Sequence, residues 1–252
     1  MMALVIAGRE FRTLFLSPLA WTMLGIIQFI LAFMFLAQLD DYYLMIQPRI
    51  AGMEEAPGVT DSIIAPLFGN AGIILMLVTP LLTMRLISEE RRNKTLTLLF
   101  TAPVSMTEIV IGKYLGVLGF LLLIVGMILF MPLSLLFGGA LDLGKLSACV
   151  LGLSLLLAGF AAVGLYMSAL TSQPTVAAVS TFGVLLMLWI VDWSSQSGSG
   201  GASVLQYLSL LRHYEGLLRG WVSSTDVLYF VLFITTFLVL SVHRLDHDRL
   251  QK

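Results

Sequence analysis

Residues Tyr114–Gly138 have the sequence YLGVLGFLLLIVGMILFMPLSLLFG, an apolar run of 25 residues without a single formal charge. A helix rises about 1.5 Å per residue, so a run of this length can cross the roughly 30 Å hydrocarbon core of a bilayer. Lys113 precedes the run, and Asp142 is the first charged residue after it. The stretch therefore predicts a transmembrane helix.

Five further stretches lack a formal charge: Leu19–Leu39, Ile63–Met84, Leu146–Leu170, Thr175–Val191 and Val227–Val242. All 29 charged side chains, 14 basic and 15 acidic, lie outside the six runs. We therefore predict an all-α integral membrane protein of six transmembrane helices, forming one domain over residues 1–252.

The composition supports this class and excludes others. Hydrophobic residues make up 58% of the chain, charged residues only 12%, and the mean hydropathy is +0.96, whereas a soluble domain has about twice as many charges. A net charge of -1 argues against nucleic acid as a partner, and a single cysteine, Cys149, excludes a disulfide scaffold. The chain requires a lipid environment.

Two segments outside the runs also predict helices. Residues 1–18 favour an interfacial helix with Leu4, Val5, Phe11, Leu14 and Phe15 toward the acyl chains. Residues 202–225 carry apolar side chains at helical spacing and predict a helix on the outer surface before the last span.

The loops carry Lys and Arg unevenly, and this asymmetry predicts orientation. With both termini in the cytoplasm, ten basic residues lie inside: Arg9, Arg12, Arg85, Arg91, Arg92, Lys94, Lys113, Arg244, Arg249 and Lys252. Four lie outside: Arg49, Lys145, Arg212 and Arg219. We predict a multi-pass protein with both termini cytoplasmic.

The predicted spans lack the groups that chemistry at bilayer depth requires. All three histidines, His213, His243 and His247, lie outside the runs, so a membrane-embedded nucleophile with its base, or a metal site, is not expected. Coupled transporters use Asp, Glu, His or Lys inside the membrane, and these are missing from the runs. We predict a non-enzyme that holds no metal or cofactor and takes its energy from elsewhere or needs none.

One loop exceeds the needs of a connector. Residues 85–113 combine charges of both signs with an apolar stripe, Leu96, Leu99 and Phe100, which Pro103 ends. Ser105 and Glu108 then have the spacing of a capping box that opens the next helix. The basic residues alone would also fix topology against anionic lipid, so docking of a soluble partner and lipid contact both remain open.

Residues 89–116, EERRNKTLTLLFTAPVSMTEIVIGKYLG, resemble the cytoplasmic loop of ABC-2 type permeases. The matching positions are Glu89, Glu90, Thr95, Leu98, Leu99, Pro103, Val104, Ser105, Gly112 and Lys113. Lys94 stands where that family usually has glycine. The later segment from His213 to Gly220, which leads into Asp226 and Tyr229, resembles the branch that contains the gliding-motility permease GldF and the copper-maturation permease NosY.

The resemblance implies an ABC transporter permease in the bacterial cytoplasmic (inner) membrane. Two such subunits, identical or related, would form the pathway, and a separate cytoplasmic ATPase would carry ATP and Mg²⁺ and drive them through the 85–113 loop. The implied coupling residues are Glu89, Glu90, Arg91, Arg92, Thr95, Leu96, Leu99, Phe100 and Pro103.

Uncharged polar groups at depth are the candidates for a cargo pathway: Gln28, Asn70, Ser154, Tyr166, Ser168 and Thr181. Hydrogen bonding between helices explains them equally. Small residues at Gly112 and Gly116, and at Ala158 and Ala162, permit close helix contacts, within the chain or in a dimer. Two other functions remain open: a non-transporting relay that passes ATPase motion to an outer-surface partner, and a passive channel or lipid-handling protein.

Overall fold

The described helices form one bundle in a computed structural model of the chain, which describes residues 2–46, 58, 60–95, 104–137, 141–196 and 209–250. The helices are α1 (Met2–Leu16), α2 (Pro18–Asp41), α3 (Ala65–Thr83), α4 (Ser88–Arg92), α5 (Met106–Leu133), α6 (Leu143–Leu170), α7 (Pro174–Gln196), α8 (Leu210–Leu218) and α9 (Ser224–Leu250). Short π-helical turns extend α2 at Tyr42–Ile46 and precede α3 at Thr60–Ile64, and a 3-10 turn follows α5 at Ser134–Phe137.

Five helical stretches are long and apolar enough to cross a membrane, which confirms an all-helical membrane protein: Pro18–Leu44, Thr60–Arg92, Met106–Leu136, Leu143–Leu170 and Ser224–Arg249. They correspond to five of the six predicted spans. The fifth predicted span lies in α7, whose apolar part within the described residues, Pro174–Ile190, is shorter.

Helix α5 begins well before its apolar run because a capping box opens it, as predicted. The Ser105 hydroxyl accepts from the Glu108 amide at 3.2 Å, and the Glu108 carboxylate accepts from the Ser105 amide at 3.3 Å. This early start places Lys113 inside the helix, close to the 85–95 segment.

Helix α6 is the centre of the bundle. In the most apolar 18-residue part of α6, 78% of the residues are buried, whereas in that of α9 only 11% are buried. Gly164 of α6 permits close contact with α3, because a Cβ there would lie 2.6 Å from the Thr83 Cβ. The bundle therefore packs around α6, and α9 lies at its periphery.

Helix α1 packs along α5 through the glycines that the sequence singled out. A Cβ at Gly112 would lie 2.7 Å from the Ile6 Cβ, and one at Gly116 would lie 2.6 Å from the Glu10 Cβ. Close approach of α1 thus requires glycine at both positions, and the small-residue motif serves packing within the chain.

This contact corrects the predicted orientation of α1. Phe11, Leu14 and Phe15 pack against the protein core instead of facing lipid, and the Phe15 and Phe120 rings meet edge to face with centroids 5.4 Å apart. Leu4 and Val5 remain exposed, as expected for the lipid-facing side. The glycine groove of α5 gives the aromatic face of α1 a protein partner.

Contacts define two ends of the bundle. At one, which we call the loop end, α1, α4, the end of α6 and the end of α9 meet. At the other, the far end, the start of α6 meets the turn before α3 and the helix α8. Of the outer-surface helix predicted over 202–225, the structure describes α8, and residues 202–208 lie outside the described residues.

Candidate coupling site at the loop end

A single hydroxyl group fixes the turn from α3 into the short helix α4. Ser168 of α6 is fully buried, and its Oγ donates to the Met84 carbonyl at 3.0 Å. The same oxygen accepts from the amides of Ile87 at 3.0 Å and Ser88 at 3.1 Å. The Ser168 hydroxyl therefore supplies hydrogen bonds to backbone groups at the end of α3 and at the start of α4. These bonds hold the turn against α6.

Lys113 joins three separate elements at the loop end. Its side chain is only 3% exposed, and its Nζ lies 2.8 Å from Glu10 Oε1 of α1 and 2.7 Å from Glu90 Oε1 of α4. A buried ammonium group is tolerated only when it is paired and hydrogen-bonded, and two carboxylates meet that need here. We call these three residues the lysine cluster.

Arg91, the next residue of α4, binds the opposite side of the bundle. Its Nη2 donates to the Ala169 carbonyl at 2.7 Å, which caps the end of α6. The same nitrogen forms an ion pair with Asp248 of α9, and Arg244 lies 3.7 Å from that carboxylate. We call Arg91 and Asp248 the arginine pair.

Consecutive residues of α4 therefore connect it to α1 and α5 on one side and to α6 and α9 on the other. A displacement of α4 would have to carry these helices along or break partly buried ion pairs. Glu89 and Arg92 are exposed and are available to a partner. Helix α4 is thus bound firmly to the bundle and exposed on its surface.

The turn after α4 is sharp although its sequence lacks glycine. Lys94 adopts φ 57°, in the left-handed region. The Thr95 amide donates to the Glu90 carbonyl at 3.0 Å, and the Lys94 amide donates to the Arg91 carbonyl at 3.2 Å. These two bonds are those of a Schellman motif, in which glycine is the usual residue at the left-handed position. Lys94 therefore adopts the left-handed conformation that this turn requires, at a conformational cost.

Five of the nine predicted coupling residues are described, and they differ in exposure. Glu89, Arg92 and Thr95 are exposed, whereas Glu90 and Arg91 are half-buried in ion pairs. The remaining four lie outside the described residues: Leu96, Leu99, Phe100 and Pro103.

Two contributors were missed by sequence reasoning, Glu10 and Asp248. Glu10 is the one acidic residue among residues 1–18, and this isolated acid in a basic and apolar segment was the available signal. Asp248 lies among charges of both signs in residues 243–250. Such a segment is ordinarily interpreted as exposed to solvent, so there was no signal in the sequence for this ion pair.

Three of the predicted pathway residues have partners inside the bundle. Gln28 of α2 donates to the Met127 carbonyl of α5 at 3.2 Å, which joins two helices. Ser154 and Thr181 each donate to the carbonyl four residues earlier in the same helix, at 2.7 Å.

The other three lie at separate places. Ser168 belongs to the loop end, as described above. Tyr166 packs edge to face on Phe237 of α9, with ring centroids 5.8 Å apart. Asn70 lines a cleft of about 560 Å³ at the far end, beside Trp189. The structure does not bring the six residues into one cavity of the described chain.

At the far end, the segment that resembles the GldF and NosY branch forms a polar cluster. The His213 Nδ1 lies 2.6 Å from Asp226 Oδ1, and the His213 ring stacks on Tyr229 with centroids 4.1 Å apart. Burial raises the pKa of the Tyr214 hydroxyl, which stays protonated and donates to the Phe68 carbonyl at 2.7 Å. These bonds attach α8 to α9 and to α3.

The described residues form a multi-pass helical bundle with a charged loop helix at one end. The sequence profile of the family described as ABC-2 family transporter protein matches residues 43–211, more than half of the chain. The chain therefore belongs to the ABC-2 transporter family and is a transmembrane permease subunit, which in this family is normally non-catalytic. No curated protein matches the chain.

Proposed function

We propose that a separate cytoplasmic ATPase drives this permease by binding the exposed side of α4 and the loop that follows it. The attachment of α4 to α1, α5, α6 and α9 is the observation that supports this most, because a force applied to α4 reaches four helices through partly buried ion pairs and the Ser168 contact. Helices connected in this way can move as a rigid group when ATP binding closes the ATPase.

The roles of the predicted coupling residues follow from their exposure. Glu89, Arg92 and Thr95 contact the ATPase, and the predicted coupling residues Leu96, Leu99, Phe100 and Pro103 are proposed to take part in the same contact. Glu90 and Arg91 transmit the motion inside the permease. ATP and Mg²⁺ bind to the ATPase, and this chain holds no cofactor.

The same proposal sets the topology. Helix α7 is the fifth of six spans, since Pro174 and Thr175 line a cleft with Arg91 at the loop end while Trp189 lines the cleft with Tyr214 at the far end. With six spans both termini lie on one side, and the basic residues at the loop end assign that side to the cytoplasm of a bacterial inner membrane.

A complete transporter contains two permease subunits, and the exposed apolar faces of α2 and α9 are where a second subunit or lipid would lie. Exposed members of the α2 face include Trp21, Phe29 and Phe33. The second subunit is the same chain or a related one.

A relay without transport is the second candidate function, and the far-end cluster favours it. His213, Asp226 and Tyr214 attach α8 rigidly to α9 and α3, so α8 would present ATPase-driven motion to an outer-surface partner. If the chain belongs to the branch that contains GldF and NosY, the relay is the function we propose for it. Nucleotide-driven movement of cargo in proteoliposomes decides between transport and relay. A passive channel or lipid-handling protein would need no ATPase.

Copurification with the ATPase tests the proposal. We expect Glu89→Lys together with Arg92→Glu to abolish association while the chain still inserts into the membrane, because both residues are exposed and outside the ion pairs. Glu215→Lys together with Arg219→Glu, an exposed pair at the far end, is the matched control and should associate normally. Normal association of the loop variant, or equal loss in both variants, would contradict the docking assignment.

A further inference from the structure

A basic cleft of about 900 Å³ opens at the loop end, between the turn after α4 and the connection from α6 to α7. Its charged lining includes Arg85, Arg92 and Lys94 against one carboxylate, Glu89. Arg91 also lines it, but the ion pair with Asp248 offsets its charge. The cleft therefore carries an excess of positive charge around a concave space.

Two of these cations have no counter-ion within the described residues. Arg85 and Arg92 are exposed, and no ion pair joins either of them to another described residue. Arg91 in addition keeps its Nε buried without a hydrogen-bond partner among the described residues. Guanidinium groups in this state favour an oxyanion, because planar N–H donors match phosphate oxygens.

The connection on the other side of the cleft adds uncharged donors. Ser172, Gln173 and Thr175 line it, and α7 begins there with Pro174. The first-turn amides of a helix have no carbonyl partner within the helix, and the helix dipole adds positive potential at that end. The first turn of α7 contains no acidic residue whose carboxylate would accept from these amides or offset this potential.

Apolar surface adjoins the polar cleft. Leu170 ends α6 directly before the connection, and it is 40% exposed. Val176 and Val179, in the first turns of α7, are 48% and 73% exposed. A ligand here would have an anionic head next to apolar chains, which describes a phospholipid better than an acidic protein segment.

We infer that this basic cleft binds the phosphate of an anionic phospholipid, with the acyl chains lying along α7 beside Val176 and Val179. Arg92 lines this cleft and also belongs to the proposed ATPase surface, so the two proposals share that residue, and lipid binding is measured on the permease without the ATPase. A lipid bound there would hold α7 against the loop helix.

Binding of defined lipids to the full chain in neutral detergent tests the inference, with native mass spectrometry as the readout. Phosphatidylglycerol is the probe, phosphatidylcholine the zwitterionic comparison and inorganic phosphate the headgroup-free comparison. We expect phosphatidylglycerol to bind preferentially, and Arg85→Gln with Arg92→Gln to weaken that binding at least about tenfold, because each basic residue near an anionic lipid surface contributes several-fold.

The matched control is Arg9→Gln with Arg12→Gln, which removes the same charge from exposed residues of α1, the helix that packs at the loop end. Its phosphatidylglycerol binding should equal that of the wild type. All four positions are exposed, and equal melting temperatures of the two variants will show that the fold is unchanged.

Three results would overturn the inference. Equal loss in both variants would mean that surface charge alone attracts the lipid. Saturation of the cleft by inorganic phosphate, with no preference for phosphatidylglycerol, would assign it to a free anion. Displacement of the lipid by a polyglutamate peptide at equal concentration would assign it to an acidic protein segment.

Discussion

Lys113 is the residue on which the loop end depends. Its ammonium group bonds two carboxylates from elements that are 103 and 23 residues away in the chain. Removing one partner of a buried ion pair costs more than the pair contributes, because the remaining charges stay buried and unpaired.

We therefore predict that Lys113→Met destabilises the chain by about 2–3 kcal/mol, below the usual cost for a fully buried pair because both carboxylates are partly exposed. The measurement is thermal or denaturant unfolding in detergent. Adding Glu10→Gln and Glu90→Gln to the same chain should restore most of the loss, since no unpaired charge then remains. A neutral effect of Lys113→Met would contradict the cluster.

Lys94, unlike Lys113, occupies a position that is unfavourable for its residue type. Its positive φ causes steric strain in a residue that has a Cβ atom. We predict that Lys94→Gly stabilises the chain by about 0.5–1 kcal/mol, since glycine adopts positive φ without a steric penalty. Asn93→Gly is the control: Asn93 has φ -81° and gains nothing from glycine, so it should be neutral or destabilising. A lower unfolding midpoint for Lys94→Gly would show that the side chain itself stabilises the turn.

Helix α1 is the element whose position the glycines of α5 determine. A side chain at Gly116 would meet the Ala7 carbonyl oxygen at 3.0 Å as well as the Glu10 side chain, and both belong to α1. Separating the two helices would also remove Glu10 from Lys113.

We predict that Gly116→Leu releases α1 and costs about 1–3 kcal/mol, the usual range for overpacking. Maleimide labelling of a cysteine placed at Ala7, in a Cys149→Ala background, should rise several-fold. Gly126→Leu is the matched control, because a Cβ at Gly126 has no atom within 4 Å. Unchanged labelling in Gly116→Leu would mean that α1 is held by other contacts.

The same elements show how far sequence could predict the structure. The apolar runs and the capping box at Ser105 are local signals: five of the runs form helices long and apolar enough to cross a membrane, and the start of α5 is confirmed. The glycines at positions 112 and 116 predicted a close contact but not its partner. The lipid-facing assignment of Phe11 was wrong because the periodicity of α1 cannot tell lipid from a neighbouring helix.

The candidate site was predictable only in part, for a related reason. The charged residues of α4 were recognised as a group, but their division into exposed and buried members depends on Glu10 and Asp248, which lie in distant helices. Pairing between residues that are 157 positions apart, such as Arg91 and Asp248, leaves no periodic trace in one sequence.

At the scale of the molecule, membership of the ABC-2 transporter family and the organisation of the bundle fit together. In the described chain, α1, α4, the end of α6 and the end of α9 meet at the loop end. An ATPase that binds there would therefore act on α1, α9 and the central helix α6. The far end presents α8, attached to α9 and α3, where the motion would emerge.

The measurement that tests this account most directly is a pulsed electron paramagnetic resonance distance between spin labels at Asn93 and Trp221, both exposed and at opposite ends. We predict that ATP and Mg²⁺ change the distance distribution when the ATPase is bound, and leave it unchanged for the permease alone. A nucleotide response of the permease alone, or an unchanged distribution in the complex, would contradict the claim that a separate ATPase moves this chain through α4.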